Sequence, residues 1–141
     1  MFVAYTDMCA DLCHYGHFNY LDLVHRRLVE LANGQPYKLI VGIHNDDTII
    51  SYKRVPILSM YERCKMIEYH PHVDLVVDNA PLKVDLEYLG KYNVDVLFTG
   101  SRPLEELKMM YNIPMEMIEV IPYTEGISTT DIINRVLRLC K

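Results

Sequence analysis

Short apolar runs alternate along the chain with longer segments in which apolar residues recur every three or four positions. A short continuous apolar run is typical of a buried strand, and the wider spacing is typical of an amphipathic helix. The predicted strands are Phe2–Thr6, Leu39–Ile43, Val73–Val77, Val94–Phe98 and Met117–Ile121. The predicted helices cover residues 17–32, 60–69, 83–92 and 104–111, and a last helix follows Ser128.

Apolar strands that are separated by helices indicate a parallel sheet covered on both faces. We therefore predict one α/β domain over residues 1–141, built as a Rossmann-like, doubly wound parallel sheet of five strands with helices on both faces. The polar connection from Asn45 to near Pro56 is predicted to be a loop. Ligands of such sheets bind beyond the carboxyl ends of the strands, so the residues that follow the strands are the candidates for a site.

The composition narrows the functional classes. The net charge of −5 argues against nonspecific nucleic-acid binding. No apolar run has the length of a membrane span, and the N-terminus has no basic leader before an apolar core. We therefore expect a cytoplasmic protein without membrane insertion, in which the four cysteines are free thiols.

Two histidines frame a glycine where the first strand meets the first helix. The amides at a helix start favour an anion, and Gly16 allows a phosphate to approach the backbone closely. Two imidazoles at His14 and His17 can then donate hydrogen bonds to phosphoryl oxygens. The alternative is one core histidine and one surface histidine. A zinc site that also uses Cys9 and Cys13 is a further alternative, although no paired C-x-x-C is present.

A second candidate anion site precedes the last helix. Three hydroxyls, on Ser128, Thr129 and Thr130, coincide with a helix start, and an ordinary N-cap is the alternative. Lys53 and Arg54 lie in the connection after the second strand. A lysine there can reach a phosphate as a point charge and an arginine can bind it in a bidentate way, or both can be solvated.

These residues resemble the cytidylyltransferases that act on phosphorylated alcohols. That family has D-x-x-H-x-G-H after strand 1, a lysine after strand 2, an E-R pair in the next helix and R-T-x-G-I-S-T-[ST] before the last helix. The matching segments are Asp11–His17, Lys53, Glu62-Arg63 and Thr124–Thr130. Segments between the motifs, such as Ile40–Asp47 and Val73–Pro81, are similar to the choline and ethanolamine branch.

The resemblance implies an activity and a set of roles. The phosphate of an acceptor attacks the α-phosphorus of CTP in line and pyrophosphate leaves, with Mg²⁺ accompanying CTP. His14, His17 and Lys53 are the implied catalytic residues. The implied nucleotide-binding residues are Asp11, Gly16, Gly42, Arg63, Gly100, Gly126, Ile127, Ser128, Thr129 and Thr130. The resemblance also implies a homodimer and a place in phospholipid biosynthesis, with no metal site made by the protein itself.

The chain departs from the family pattern at several positions. Tyr123 stands where the family has the arginine of R-T-x-G-I-S-T, and we expect Arg54 or Arg102 to supply the missing charge. Met8 and Ala10 replace the glycine and the aromatic residue of the strand 1 turn. Leu82 stands where a tryptophan is common, and the chain contains no tryptophan.

The departures leave several functions open. Phosphoethanolamine or phosphocholine is the expected acceptor, and glycerol 3-phosphate or another polyol phosphate is the alternative. An arginine after strand 4 suits a more anionic acceptor than choline. An adenylyltransferase of the same superfamily is a minor alternative. A nucleotide-binding protein that has lost turnover is the alternative from a different class.

Overall fold

The computed structural model describes all of residues 1–141. The strands are β1 (Phe2–Met8), β2 (Tyr37–His44), β3 (Leu75–Ala80), β4 (Val84–Asp85), β5 (Val96–Gly100), β6 (Tyr111–Asn112) and β7 (Ile118–Ile121). The helices are α1 (Tyr15–Ala32), α2 (Asp46–Tyr52), α3 (Met60–Glu68), α4 (Leu86–Gly90), α5 (Leu104–Met110) and α6 (Thr129–Leu139). A single 3₁₀ turn, Met115–Met117, leads into β7.

The main sheet has five parallel strands in the order β3-β2-β1-β5-β7. The chain winds from β1 outward to β3 and then returns to the other side of β1 to form β5 and β7. The winding direction therefore changes between β1 and β5, and a crevice opens there at the carboxyl ends of the strands. The predicted doubly wound fold is confirmed.

Two apolar layers cover the sheet, one on each face. Leu21 and Leu28 of α1 pack with Ile67 of α3 on one face. Leu89 of α4 and Leu107 of α5 pack on the other face. Because successive residues of a strand point to opposite faces, neighbouring side chains of β1 enter different layers. Ala4 therefore lies in the layer of α1 and α3, whereas Val3 and Tyr5 lie in the layer of α4 and α5.

The structure corrects the predicted loop after the second strand. Residues 46–52 form α2, whose first backbone donors are capped by Asn45, because Thr48 N donates to Asn45 Oδ1 at 2.7 Å. Asp46 and Asp47 in the first turn favour the helix electrostatically. Only Ile49 of this helix is buried, so the sequence shows almost no apolar periodicity there.

Several other boundaries also differ from the prediction. The predicted helix at 83–92 is divided, since Val84–Asp85 forms β4 beside β6 before the shorter α4 begins. The third strand begins at Leu75 rather than Val73 and continues to Ala80. The Ser59–Glu62 capping box is confirmed, with Glu62 N donating to Ser59 Oγ at 3.2 Å and Ser59 N donating to Glu62 Oε1 at 2.9 Å. None of the helices is long and apolar enough to cross a membrane.

Candidate active site at the carboxyl edge of the sheet

A cavity of about 450 Å³ lies at the carboxyl ends of β1, β2 and β5, where the winding direction changes. Four connections form its wall: the β1–α1 turn, the end of α2, the segment after β5 and the segment before α6. The sequence-predicted residues in this wall are His14, Gly16, His17, Lys53, Gly100, Arg102, Ile127, Ser128 and Thr129. The fold thus brings together three of the predicted motifs that are far apart in the chain.

The two histidines cap helix α1 reciprocally. Gly16 N donates to His14 Nδ1 at 3.0 Å, and His14 N donates to His17 Nδ1 at 3.1 Å. Because Nδ1 accepts a backbone N–H in both rings, each neutral ring carries its proton on Nε2. The ring centroids are 4.1 Å apart, and both side chains line the cavity. The cap therefore selects one tautomer and keeps the rings together as a pair of donors.

The charge state of the two rings follows from their surroundings. Burial lowers the pKa of His17 to about 4, and the neighbouring His14 and Lys53 charges act in the same direction. Burial and the Lys53 charge also lower the pKa of His14. Both imidazoles are therefore neutral at pH 7. In this neutral form each ring can serve as a hydrogen-bond donor through Nε2.

Gly16 has a packing reason to be glycine. A Cβ at this position would lie 2.8 Å from the His14 ring and 3.2 Å from Ile127 Cγ2. A side chain there would push the ring away from the position in which it accepts the Gly16 N–H. The glycine therefore allows both the cap and the close approach of the loop before α6.

The start of α6 supplies further donors to the same part of the cavity. Ser128 is the N-cap, and its Oγ accepts from Asp131 N at 3.1 Å. Thr129 Oγ1 donates to the carbonyl oxygen of Asp11 at 2.8 Å, which ties α6 to the β1–α1 turn. Thr130 is exposed and lies outside the wall, as does Gly126, whose φ of +90° only allows the loop to turn. We call His14, Gly16, His17, Ser128 and Thr129 the imidazole end of the cavity.

Asp11 and Arg54 do not face the cavity, which corrects the sequence-based interpretation of both. The Asp11 carboxylate accepts from Ile57 N, Leu58 N and Arg54 Nη1, each at 2.9 Å. Burial alone would raise the pKa of Asp11, but these three donors outweigh it and lower the pKa. Asp11 and Arg54 therefore hold the α2–α3 connection against the β1–α1 turn.

Arg63 also supports the site from behind rather than entering it. Its guanidinium is completely buried and donates to the carbonyl oxygens of Cys9 at 2.9 Å and His44 at 2.8 Å. It also donates to Leu58 O at 3.2 Å and pairs with Asp46 at 2.7 Å. The family resemblance implied that Arg63 contacts phosphate. In the structure all three guanidinium nitrogens donate hydrogen bonds within the chain instead, and these bonds join β1, β2 and the α2–α3 connection.

Gly42 lies within β2, outside the cavity wall, where it serves packing. A Cβ on Gly42 would overlap the Tyr5 hydroxyl and lie 2.8 Å from Ala80 Cβ. The glycine makes room for the Tyr5 side chain between the strands and the α4–α5 layer.

Two residues of the wall carry a permanent positive charge, Lys53 and Arg102. The Lys53 side chain is exposed at the end of α2 and makes no hydrogen bond or ion pair within the chain, whereas its backbone N–H closes the helix on Ile49 O at 2.8 Å. Its charge lowers the pKa of both His14 and His17, after the larger effect of burial. Arg102 donates from Nη1 to Glu106 Oε1 at 3.0 Å. The two cations therefore stand in different parts of the wall.

The floor of the cavity holds polar residues that the sequence analysis did not assign to the site. Tyr111 Oη donates to Asp7 Oδ1 at 3.0 Å, and His44 Nδ1 lies 2.9 Å from Tyr52 Oη. Asp7 Oδ2 and His44 Nε2 are 3.5 Å apart, and both are buried without a hydrogen-bond partner. Asp7 is the one carboxylate of the wall. We call Asp7, His44, Tyr52, Thr99 and Arg102 the carboxylate end.

A signal for part of this floor was present in the sequence. Asp7 and His44 lie at the carboxyl ends of the first two strands, at the edge where ligands bind, but their significance depends on their being adjacent in space. The zinc alternative gains no support, because no group of three or more histidine, cysteine or acidic side chains is positioned to hold a metal ion. All four cysteines are free.

Sequence comparisons with known proteins agree on one family. The model of the cytidylyltransferase-like family matches residues 5–135. The mouse ethanolamine-phosphate cytidylyltransferase is 33% identical over 97% of this chain, which spans 33% of that protein. The human choline-phosphate cytidylyltransferase A is 32% identical over 95% of this chain, which spans 36% of that protein. The chain thus has about a third of the length of these curated relatives.

A solved structure of low sequence identity has the same fold. The lipopolysaccharide core biosynthesis protein from Thermoplasma volcanium GSS1 superposes with a TM-score of 0.61 and 17% identity. The similarity covers 90% of this chain and 99% of that one. At this identity the likeness concerns the fold alone.

Proposed function

The chain belongs to the cytidylyltransferase-like family, and we propose that it transfers CMP from CTP to a phosphorylated small alcohol. The products are a CDP-alcohol and pyrophosphate. One observation carries the proposal: the paired imidazole donors of α1 and the capped start of α6 lie in the wall of the same cavity. The names of the relatives make phosphoethanolamine the first candidate acceptor and phosphocholine the second. Glycerol 3-phosphate and other polyol phosphates are the alternatives.

In the proposed reaction an oxygen of the acceptor phosphate attacks the α-phosphorus of CTP. The new P–O bond forms as the bond to the β-phosphate breaks, and the departing pyrophosphate takes the electron pair. The acceptor phosphate is already anionic at neutral pH, so no general base is required. Positioning and electrostatic stabilisation then supply the rate enhancement.

The imidazole end would stabilise the charge that develops on the phosphates. His14 and His17 are held as neutral Nε2–H donors, so they need no reorganisation when the transition state forms. The Ser128 hydroxyl and the backbone N–H groups at the start of α6 would hold the β- and γ-phosphates. The Thr129 hydroxyl hydrogen is donated to Asp11 O, so Thr129 would contribute its backbone N–H. The Lys53 ammonium, which has no partner within the chain, would neutralise the α-phosphate as a mobile point charge.

The proposal includes Mg²⁺ bound with CTP. The cavity wall offers one carboxylate, Asp7, and the chain has no cluster of metal-ligating side chains. That donor set fits an ion held mainly by substrate phosphates and water, which is the usual arrangement for Mg²⁺ with nucleotides. When bound, Mg²⁺ supplies further neutralisation of the pyrophosphate charge.

The test is pyrophosphate release from CTP and Mg²⁺ with a panel of acceptors: phosphoethanolamine, phosphocholine, glycerol 3-phosphate and other polyol phosphates, with ATP as the competing nucleotide. We expect turnover with CTP and one acceptor class, and its loss in His17→Ala. His25→Ala is the matched control, because His25 lies on the same helix but not in the cavity wall. Calorimetric CTP binding without turnover for any acceptor would favour a noncatalytic nucleotide-binding protein.

Two further expectations belong to the same proposal. We propose that a second copy of the chain covers the partly exposed side chains Met66, Tyr69 and Leu75 around the edge strand β3. Light scattering after gel filtration gives the mass, and a monomer at micromolar concentration would contradict the dimer. We also propose a cytoplasmic location, because four free cysteines suit a reducing compartment. Fractionation of the source cells tests this.

A further inference from the structure

Arg102 lies in the cavity wall, but the nucleotide contacts proposed above leave it without a role. It follows Gly100, the last residue of β5, and precedes α5. Its only hydrogen bond runs from Nη1 to Glu106, a half-exposed side chain one turn further along. An exposed pair of this kind contributes little to stability. The ion pair with Glu106 therefore does not by itself explain the placement of the guanidinium.

Part of the guanidinium is left without a partner. Arg102 Nε is buried and makes no hydrogen bond, and no other contact of the guanidinium accompanies the bond from Nη1. A buried N–H without a partner costs free energy that a ligand oxygen can recover. A guanidinium with several free donors suits the geometry of a phosphate or a carboxylate.

The charge of Arg102 acts on the carboxylate end. Burial raises the pKa of Tyr111, the Asp7 charge adds to this effect, and the Arg102 charge opposes it. Burial likewise raises the pKa of Tyr52, and the Arg102 charge again opposes it. The Lys53 charge instead acts on His14 and His17. The two cations of the wall therefore serve different ends of the cavity.

The other candidate cation, Arg54, does not line the cavity. Its Nη1 pairs with Asp11 at 2.9 Å. Although its Nε and Nη2 make no hydrogen bond, they are buried outside the cavity wall and are not positioned to bind a substrate there. Tyr123 covers Gly100, since a Cβ on Gly100 would lie 3.2 Å from the Tyr123 ring. This places an uncharged side chain beside Arg102 and leaves Arg102 as the one permanent cation on that side of the cavity.

We propose that Arg102 binds the phosphate of the acceptor alcohol, an inference that rests on the proposed cytidylyl transfer. In an in-line displacement the attacking and leaving oxygens lie on opposite sides of the reacting phosphorus. If the leaving phosphates occupy the imidazole end, the acceptor phosphate must approach from the opposite side, which is the carboxylate end with Arg102. The remainder of the acceptor then lies over Asp7 and His44, whose atoms Oδ2 and Nε2 make no hydrogen bond within the chain and can form one with the acceptor.

The test compares Arg102→Ala and Arg102→Lys with Arg138→Ala, which removes an exposed arginine of α6 outside the cavity wall. We expect Arg102→Ala to raise the KM for the acceptor about 10- to 100-fold, the effect of losing a charge-assisted hydrogen bond. The KM for CTP should change less than about twofold, and Arg102→Lys should restore part of the acceptor affinity. Arg138→Ala should match the wild type.

Two results would overturn the inference: an equal rise in the KM values for CTP and acceptor, or no change in either. Circular dichroism melting of Arg102→Lys and Arg102→Ala separates misfolding from lost binding. If the wild type shows no turnover, the proposed function fails, and calorimetry then measures acceptor binding to the protein saturated with a nonhydrolysable CTP analogue. Weaker acceptor binding in Arg102→Ala but not Arg138→Ala supports the role of Arg102, and equal binding overturns it.

Discussion

The two ends of the cavity are built on different principles. At the imidazole end, neighbouring backbone N–H groups fix the side chains: His14 and His17 are held by the first turn of α1, and Ser128 caps α6. At the carboxylate end, Asp7, His44 and Arg102 come from three strand ends and keep unpartnered polar atoms. The first end is organised before any ligand binds, and the second has hydrogen-bonding capacity that a ligand can use.

The difference suggests how one site can keep its chemistry while its acceptor changes. In the proposed reaction the reacting phosphates are common to every acceptor, so the donors proposed to meet them can be fixed by local backbone geometry. Only the alcohol would vary, and the side chains proposed to meet it lie singly at the ends of different strands. This division agrees with the departures at Met8, Ala10 and Tyr123, which leave the His14–His17 cap intact.

The largest effect is expected when Arg63, the residue that supports both ends of the cavity, is replaced. Arg63→Met deletes donors to the carbonyl oxygens of Cys9 and His44 and leaves these groups unsatisfied. We expect a loss of about 3–5 kcal/mol in the free energy of unfolding, as for a broken buried charge network. Chemical denaturation measures it. Arg135→Met on exposed α6 is the control, and similar stabilities for the two variants would contradict the supporting role.

The next largest effect is expected for a substitution that distinguishes two roles of His14, the capping of α1 and the donation of a hydrogen bond to the substrate. His14→Asn keeps a good N-cap acceptor but removes the Nε2–H donor. We expect a melting temperature close to that of the wild type and a loss of about 10²- to 10³-fold in kcat, the usual effect of removing a preorganised donor. Steady-state kinetics and calorimetric melting test this together. Retention of wild-type kcat would show that His14 acts only as a cap.

A smaller effect is expected when the charge of the carboxylate end is removed. Asp7→Asn keeps an acceptor for the Tyr111 hydroxyl and abolishes the buried charge. If phosphoethanolamine is the acceptor, its ammonium group loses an ionic partner, and we expect its KM to rise about 5- to 30-fold with the KM for CTP unchanged. Glycerol 3-phosphate, which carries no positive charge, serves as the comparison substrate. Equal losses for both acceptors would exclude charge recognition at Asp7.

The smallest effect concerns the dependence of stability on pH. Burial lowers the pKa of His17 from 6.5 to about 4, so between these values the unfolded chain binds more protons than the folded one. The stability contributed by neutral His17 is present above pH 6.5 and is lost as the pH falls toward 4. His17→Gln can keep the reciprocal cap without titrating, so its melting temperature should fall less over this range. Identical pH profiles would contradict the assignment.

Much of the fold was predictable because its strands are continuous apolar runs and its longer helices have a clear apolar period. The incorrect predictions have two different origins. Helix α2 buries only Ile49 and depends on the Asn45 cap, so its sequence has almost no apolar periodicity from which a helix could be predicted. The split of the 83–92 segment arises because Val84–Asp85 pairs with Tyr111–Asn112, and this pairing joins residues far apart in the chain.

The sequence by itself determined the parallel α/β fold and the two capped helix starts of the imidazole end, because apolar periodicity and helix capping act over a few neighbouring residues. The tertiary structure brought these two helix starts together. Only the tertiary structure decided that Arg63, Asp11 and Arg54 face inward as supports, since a motif states which residues are present and not which way they point. The tertiary structure alone placed Asp7 next to His44 and positioned Arg102 at the carboxylate end of the cavity. Those contacts depend on strand order and on the alternation of side chains across the sheet, which packing sets across the whole chain.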